Sequence, residues 1–180
     1  MHATAKTDYA LRAMVELARA DEPRVLGERI ARAQDIPPKY LDSILLELRH
    51  ARLVTTQRGP NGGVRLARPA DQITLADVIR AVDGPLANVR GTPPEDLAYP
   101  ATTDALRVVW VAVGASLRAV LEGVTVDDLR RGTLPPVVRE LTQQAGAWNR
   151  RSVGGAGPAP FPFPRIHPDP PSGSGNPPAR

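Results

Sequence analysis

Apolar residues recur at helical spacing over residues 7–20, where Leu11, Met14, Val15 and Ala18 line one side and Arg12, Glu16 and Arg19 the other. This predicts a first amphipathic helix, broken by Asp21, Glu22 and Pro23. A short second helix follows over residues 26–33, with Ile30 turned inward, and then a tight turn over 34–36. Pro37 and Pro38 open a third helix that runs to about residue 51. Pro38 suits a first helical position because the N–H it lacks would have no partner there. Leu41, Ile44, Leu45 and Leu48 form its buried stripe, leaving Lys39, Asp42, Ser43, Leu46, Arg49 and His50 nearer the outside. Two short helices around a turn, the second polar outward, follow the pattern of a helix-turn-helix.

Residues 53–57 are extended and rich in Val and Thr. Arg58-Gly59-Pro60-Asn61-Gly62-Gly63 and then Val64-Arg65-Leu66 complete a hairpin. Its Gly and Asn suit the positive φ angles of a tight loop, and Arg58 and Arg65 flank the tip. A basic hairpin directly after the outward helix reads as a wing. Thr74 and Asp77 have capping-box spacing for a fourth helix that ends at Gly84, with Leu75, Val78, Ile79 and Val82 inward. Residues 85–101 lack periodicity and read as a loop. From about Thr103 a long helix carries Leu106, Val109, Trp110, Val113, Leu117, Val120 and Leu121 on one wide apolar face. The winged part already has enough helices to close its core, so this face is expected to be covered by a second copy of the chain. Thr125 and Asp128 repeat the capping-box spacing for a short last helix, and Asp127 and Asp128 read as helix-start carboxylates.

The expected fold is mainly α with a small β-hairpin wing: a winged helix-turn-helix DNA-binding domain plus a long dimerisation helix. The expected organisation is a winged domain over 1–84, a connecting or sensor loop over 85–101, the dimerisation and short C-terminal helices over 102–151, and a tail over 152–180. That tail holds nine Pro and five Gly in its 29 residues with no apolar period; it is expected to be disordered and is assigned no role.

Charge sharpens this picture. The chain carries a net +4, and residues 1–70 hold twelve Lys or Arg against eight Asp or Glu, whereas the remainder holds eleven of each. A polyanion would meet the first half first. No run of about 18 apolar residues and no apolar stretch with a small-residue cleavage site are present, so a cytoplasmic protein without a membrane partner is expected. The chain has no Cys, and its three His, His2, His50 and His167, are scattered. Neither a nucleophile motif nor a metal-ligand spacing emerges, and no enzyme is expected. The glycine-rich tip is not followed by Gly-Lys-Ser/Thr, which sets a nucleotide-phosphate loop aside.

The runs Tyr9-Ala10-Leu11-Arg12-Ala13-Met14, Arg58-Gly59-Pro60-Asn61-Gly62-Gly63-Val64-Arg65-Leu66-Ala67 and Ile73-Thr74-Leu75-Ala76-Asp77-Val78-Ile79-Arg80-Ala81-Val82-Asp83-Gly84, with Trp110 and residues 124–129 beyond them, resemble the Rrf-two (BadM-type) transcriptional regulators over about residues 1–129. The resemblance implies a homodimer whose long helices cross, each winged domain reading half of a dyad-symmetric operator in double-stranded DNA. The third helix would enter the major groove and the wing the adjacent minor groove, with half-sites about 34 Å or a multiple apart. Carried over by position, Lys39 and Tyr40 start the recognition helix and contact bases and phosphates. Asp42 falls where the family often has Glu, and a carboxylate suits cytosine N4. Arg58 heads the wing and enters the minor groove, with Asn61 and Gly62 at the tip beside it. Thr4, Lys6, Thr56 and Arg65 fall at phosphate contacts. Arg49 and Arg52 suit solvent and DNA equally well. The expected dimer interface is Leu106, Val109, Trp110, Val113, Leu117 and Leu121.

One departure matters. Many family members hold an iron-sulfur cluster on three cysteines between the fourth helix and the dimer helix. This chain has none and offers Asp104 and Arg107 there, so no cofactor is expected. The loop over 88–99 or the dimer seam is left either as a sensor for a small-molecule or protein effector or as a plain connector. The reading is therefore a DNA-binding regulator, more a repressor than an activator. Its rival is a protein-interaction adaptor that keeps the fold, against which the basic wing argues.

Overall fold

A computed structural model describes residues 3–59 and 61–149. Met1–Gln144 forms one compact unit; of the second, Ala145–Arg180, the described part is a turn in which the Asn149 N–H donates to the Gly146 carbonyl at 3.1 Å. The expected tail over 152–180 lies outside the described residues.

Helix α1, Ala5–Arg19, starts at Thr4, whose hydroxyl accepts the Thr7 N–H at 3.1 Å. Its buried side is Thr7, Ala10, Ala13, Met14 and Leu17, while Leu11, Val15 and Ala18 are only half-buried. The difference from the expected stripe has a packing cause. α1 is the central helix, packed against α2 (Gly27–Gln34), α3 (Pro38–His50), α4 (Leu75–Asp83) and α6 (Val126–Arg131). Small alanines let those backbones approach, so Ala10 and Ala13 end fully buried although a hydrophobicity count passes over them.

In α3 the expected stripe of Leu41, Ile44, Leu45 and Leu48 is the buried one. Strands β1 (Val54–Gln57) and β2 (Gly63–Leu66) pair antiparallel with Thr55 opposite Arg65 and Thr56 opposite Val64. Val25, just before α2, adds an isolated bridge to Val64, with both backbone hydrogen bonds at 2.8 Å. Nothing in the polar run Asp21-Glu22-Pro23-Arg24 announces that pairing. It explains Gly63, whose φ is +136° and where a Cβ would stand 2.8 Å from the Val25 carbonyl oxygen. Gly63→Ala is expected to cost about 1–2 kcal/mol, read as a lower urea midpoint at unchanged slope.

The two capping boxes form as expected, Thr74 with Asp77 and Thr125 with Asp128. On α4 the buried residues are Ala76, Val78, Ile79 and Val82, with Leu75 half-buried. The loop contains two single turns of 3-10 helix, Pro94–Asp96 and Ala101–Thr103, ahead of the long helix α5, Ala105–Leu121. After α5 the chain returns to the winged part: the Leu75 N–H donates to the Val124 carbonyl and the Val126 N–H to the Ile73 carbonyl, both at 2.9 Å. Val126 is fully buried in the main core. A seventh helix, α7 (Pro136–Gln143), packs on α5 and was not expected, although Pro136 at its first position and Val137, Val138 and Leu141 are a short version of the usual signal.

The start of α1 is also tied across the chain. Both hydroxyls, of Thr4 at 2.7 Å and of buried Thr7, donate to the same Asp83 oxygen at the end of α4. Partial desolvation pushes the Asp83 carboxyl up, but the hydrogen bonds from Thr7 and Thr4 and the charge of Lys6 outweigh it and hold the group below its ordinary value. A depressed carboxyl stabilises the fold above its unfolded pKa and loses that contribution as pH falls through the folded one. Thr7→Val is therefore expected to lose about 1–2 kcal/mol at pH 7, with the gap from wild type narrowing below the ordinary aspartate value of 3.8. Urea melts at pH 7 and pH 3 check it.

Candidate nucleic-acid interface

The helix-turn-helix is set by its turn. Asp35 closes α2 in the left-handed region at φ 50°, which a short polar side chain tolerates, and the Ile36 N–H returns to the Ala31 carbonyl at 2.9 Å. Buried Ile36 pins the turn, and Pro38 sits in the first turn of α3. This aims the outer face of α3 at solvent: Lys39, Asp42, Ser43, Leu46, Arg49 and His50 are all exposed.

The wing lies beside that face. A groove of about 420 Å³ is lined by Gly27 of α2, by Asp42, Leu45, Leu46 and Arg49 of α3, and by Thr56, Arg58 and Val64 of the hairpin. Three of the expected contact residues, Asp42, Thr56 and Arg58, thus share one surface. Leu46, which the sequence pattern marks only as outward-facing, lines the same groove and is 44% exposed. Its signal was an apolar residue on the polar side of α3.

At the tip, Gly59 has φ +102°. Gly62 is there for space: a Cβ would stand 2.6 Å from the Gln57 carbonyl oxygen, and the Gly62 N–H closes the loop on the Gly59 carbonyl at 2.8 Å. Arg58 and Asn61 are exposed, and Arg58, Lys39, Arg49 and Arg52 enter no ion pair among the described residues. Charges without a local partner keep their full attraction for a polyanion.

The other expected contacts sit apart from the groove. Arg65 is on the opposite side of the hairpin from Thr56, its Nε donating to the Thr55 hydroxyl at 3.2 Å. Tyr40 meets Tyr9 edge to face, ring centroids 5.8 Å apart, and Arg12 lies 5.4 Å over Tyr9. That stack joins the start of α3 to α1. Lys6 pairs with Glu47 of α3 at 3.1 Å, and Thr4, which caps α1 by accepting the Thr7 N–H, donates to Asp83.

The long helix is the second feature. Among its residues only Gly114 is buried; a Cβ there would meet the side chains of Ala87 and Pro94. Val108 and Val109 are 63% and 54% exposed, and Leu106, Trp110 and Val113 are exposed beside them. Leu117 and Leu121 are half-buried toward the rest of the chain. The α5 charges stay within this chain, Arg107 on Asp104 at 3.6 Å and Arg118 on Glu95 at 3.4 Å.

A recognition helix presented by a tight turn, a basic hairpin beside it and a small two-stranded sheet define a winged helix-turn-helix DNA-binding transcriptional regulator. Known proteins agree. Residues 3–132 match the family model described as Rrf2, iron-dependent transcriptional regulator. The candidate HTH-type transcriptional regulator Rv1287 of Mycobacterium tuberculosis (strain ATCC 25618 / H37Rv) is 49% identical over 142 residues, covering 78% of this chain and 88% of that protein. The HTH-type transcriptional regulator IscR of Cereibacter sphaeroides is 38% identical over 149 residues, covering 76% and 91%. The solved structure of CymR (YrzC), the global cysteine regulator of Bacillus subtilis, superposes with a TM-score of 0.63 at 30% identity, covering 74% of this chain and 98% of that one. The chain belongs to the Rrf2 family.

The family description names iron, and the residues here do not fit it. A cluster needs thiolates or equivalent soft donors, the chain has no Cys, and Asp104 and Arg107 at the start of α5 neutralise each other. Among the described residues no group of three His, Asp or Glu side chains converges on one point. Nor is any helix there long and apolar enough to cross a membrane.

Proposed function

We propose that this regulator acts as a homodimer on a dyad-symmetric operator, represses by occupying it, and does so without an iron-sulfur cluster. The observation that carries the dimer is α5. A helix with five large apolar residues open to water is unstable as a free surface, and a two-fold partner presenting the same face covers it without further chemistry. Crossing the two helices sets the recognition helices on one side of the pair at a fixed spacing, which a palindromic site reads.

Within each half-site, α3 enters the major groove with Lys39 at phosphate, Asp42 accepting from a cytosine amino group and Leu46 against a thymine methyl. Arg58 enters the minor groove with Asn61 and Gly62 at its rim, while Thr56 and Arg65 hold the flanking backbone. Tyr40 and Lys6, tied to Tyr9 and Glu47, hold α3 in register against α1. Repression follows from occupancy of the operator, which needs no surface for polymerase.

The test is selection of bound duplexes from a random pool, followed by anisotropy titration of the best site at several salt concentrations and light scattering of the complex. A palindrome bound by two chains, with affinity falling steeply as salt rises, is expected. Uniform binding with no enriched motif overturns the operator reading.

A further inference from the structure

A second cavity shares no lining residue with the groove between α3 and the wing. It measures about 390 Å³ and is walled by the end of α4 (Ile79, Asp83), the following loop (Leu86, Val89, Pro94 and their neighbours), the start of α1 (Thr4, Thr7) and α5 (Trp110, Val113, Leu117). That volume is in the range of about 300–1,000 Å³ that small-molecule sites occupy. Its walls mix apolar side chains with the polar Thr4, Thr7 and Asn88, and beside the two threonines stands a carboxylate.

Among the described lining residues Asp83 is the single ionisable side chain. One of its oxygens accepts from both threonine hydroxyls, and its other oxygen enters no hydrogen bond or ion pair among the described residues. Lys6, the nearest cation to act on it, is spent on Glu47. A negative charge held by two hydroxyls in a cleft that Leu86, Val89 and an indole also line is complementary to a cation that carries an apolar body. We propose that this cavity binds a small organic ammonium compound, its charged nitrogen on Asp83 and its hydrocarbon part against Leu86, Val89 and Trp110.

The site is walled by this chain alone, although Trp110 and Val113 also border the α5 face proposed for the second copy, and its regulatory meaning rests on the operator reading above. The occupant would touch α5, which sets the spacing of the two winged units, and the first turn of α1, which abuts the recognition helix through Lys6 and Glu47. Binding there and operator binding are then coupled, each altering the other by the same factor, on the order of 5- to 150-fold.

The full chain is titrated calorimetrically with benzylammonium, phenethylammonium and cyclohexylammonium chlorides, and with 2-phenylethanol and 3-phenylpropionate as neutral and anionic matches. Saturable binding of at least one ammonium compound and none of the matches is expected. Asp83→Asn weakens it on the order of tenfold, and Val89→Trp, which fills the cleft and leaves the carboxylate, removes it. Binding by none of the three cations, or equal binding of the alcohol, overturns the site, as does binding undiminished in Val89→Trp. That variant decides alone if Asp83→Asn fails to fold. Operator titration with and without the bound cation separates the two readings. Cation binding by a chain that selects no DNA keeps the site and removes the operator; operator binding indifferent to the cation removes the coupling.

Discussion

Arg58→Ala is expected to weaken operator binding by about 1–3 kcal/mol per half-site, roughly 5- to 150-fold, while leaving stability within about 0.5 kcal/mol of wild type by urea melt. The separation follows from what the side chain touches. Arg58 is exposed, follows β1 without joining the paired register, and has no ion-pair partner among the described residues. Folding therefore gains nothing measurable from it. Binding gains a guanidinium placed beside the wing tip, in the groove that also holds Asp42 and Thr56. Entry into the minor groove adds a signature: the loss is greatest on operators with an A·T-rich flank, where the groove is narrow and its potential most negative. A phosphate contact instead lowers affinity equally on all flanks and reduces the salt slope by about one. Anisotropy titrations on operators differing only in the flank, run across a salt series, distinguish the two. An unchanged affinity on every flank removes Arg58 from the interface and with it the wing reading.

The legible and illegible parts of this chain divide along one line. Patterns completed within about a dozen residues were readable: the four-residue stripe of α3, both capping boxes and the basic hairpin. Each is local, and each formed where expected. What escaped depends on partners remote in sequence. Thr4 and Asp83, hydrogen-bonded across 79 positions, carry no mutual signal. Val25 pairs with Val64 only because the hairpin folds back over it. α1 shows the same effect: a helix surrounded on several sides buries its alanines, and the widest apolar stripe no longer marks the inside. The site divides likewise. Arg58, Asp42 and Thr56 meet in one groove because helix and wing are consecutive, whereas the contacts of Tyr40 with Tyr9 and of Lys6 with Glu47 join α1 to α3 and carry no local signal.

Val109→Asp is expected to convert the proposed dimer to monomer and to abolish tight operator binding without unfolding the chain. Val109 is 54% exposed in the first half of α5, so the carboxylate is hydrated in the isolated chain and the fold bears little cost. In a symmetric dimer the same residue faces its own copy or close to it, and both carboxylates would lose water beside each other. An uncompensated buried charge costs about 3–5 kcal/mol, which raises the dimer dissociation constant by roughly two to four powers of ten. Light scattering at micromolar concentration reads the halved mass, and circular dichroism the retained helix. DNA binding then reports the link between the two. A monomer contacts one half-site, so its affinity drops to near the non-specific level and no longer depends on half-site spacing, whereas wild type loses affinity when a few base pairs are inserted at the dyad. A Val109→Asp protein that stays dimeric places the interface elsewhere. One that becomes monomeric yet still discriminates spacing would mean that DNA itself assembles the pair, leaving α5 to stabilise a complex that the winged units form first.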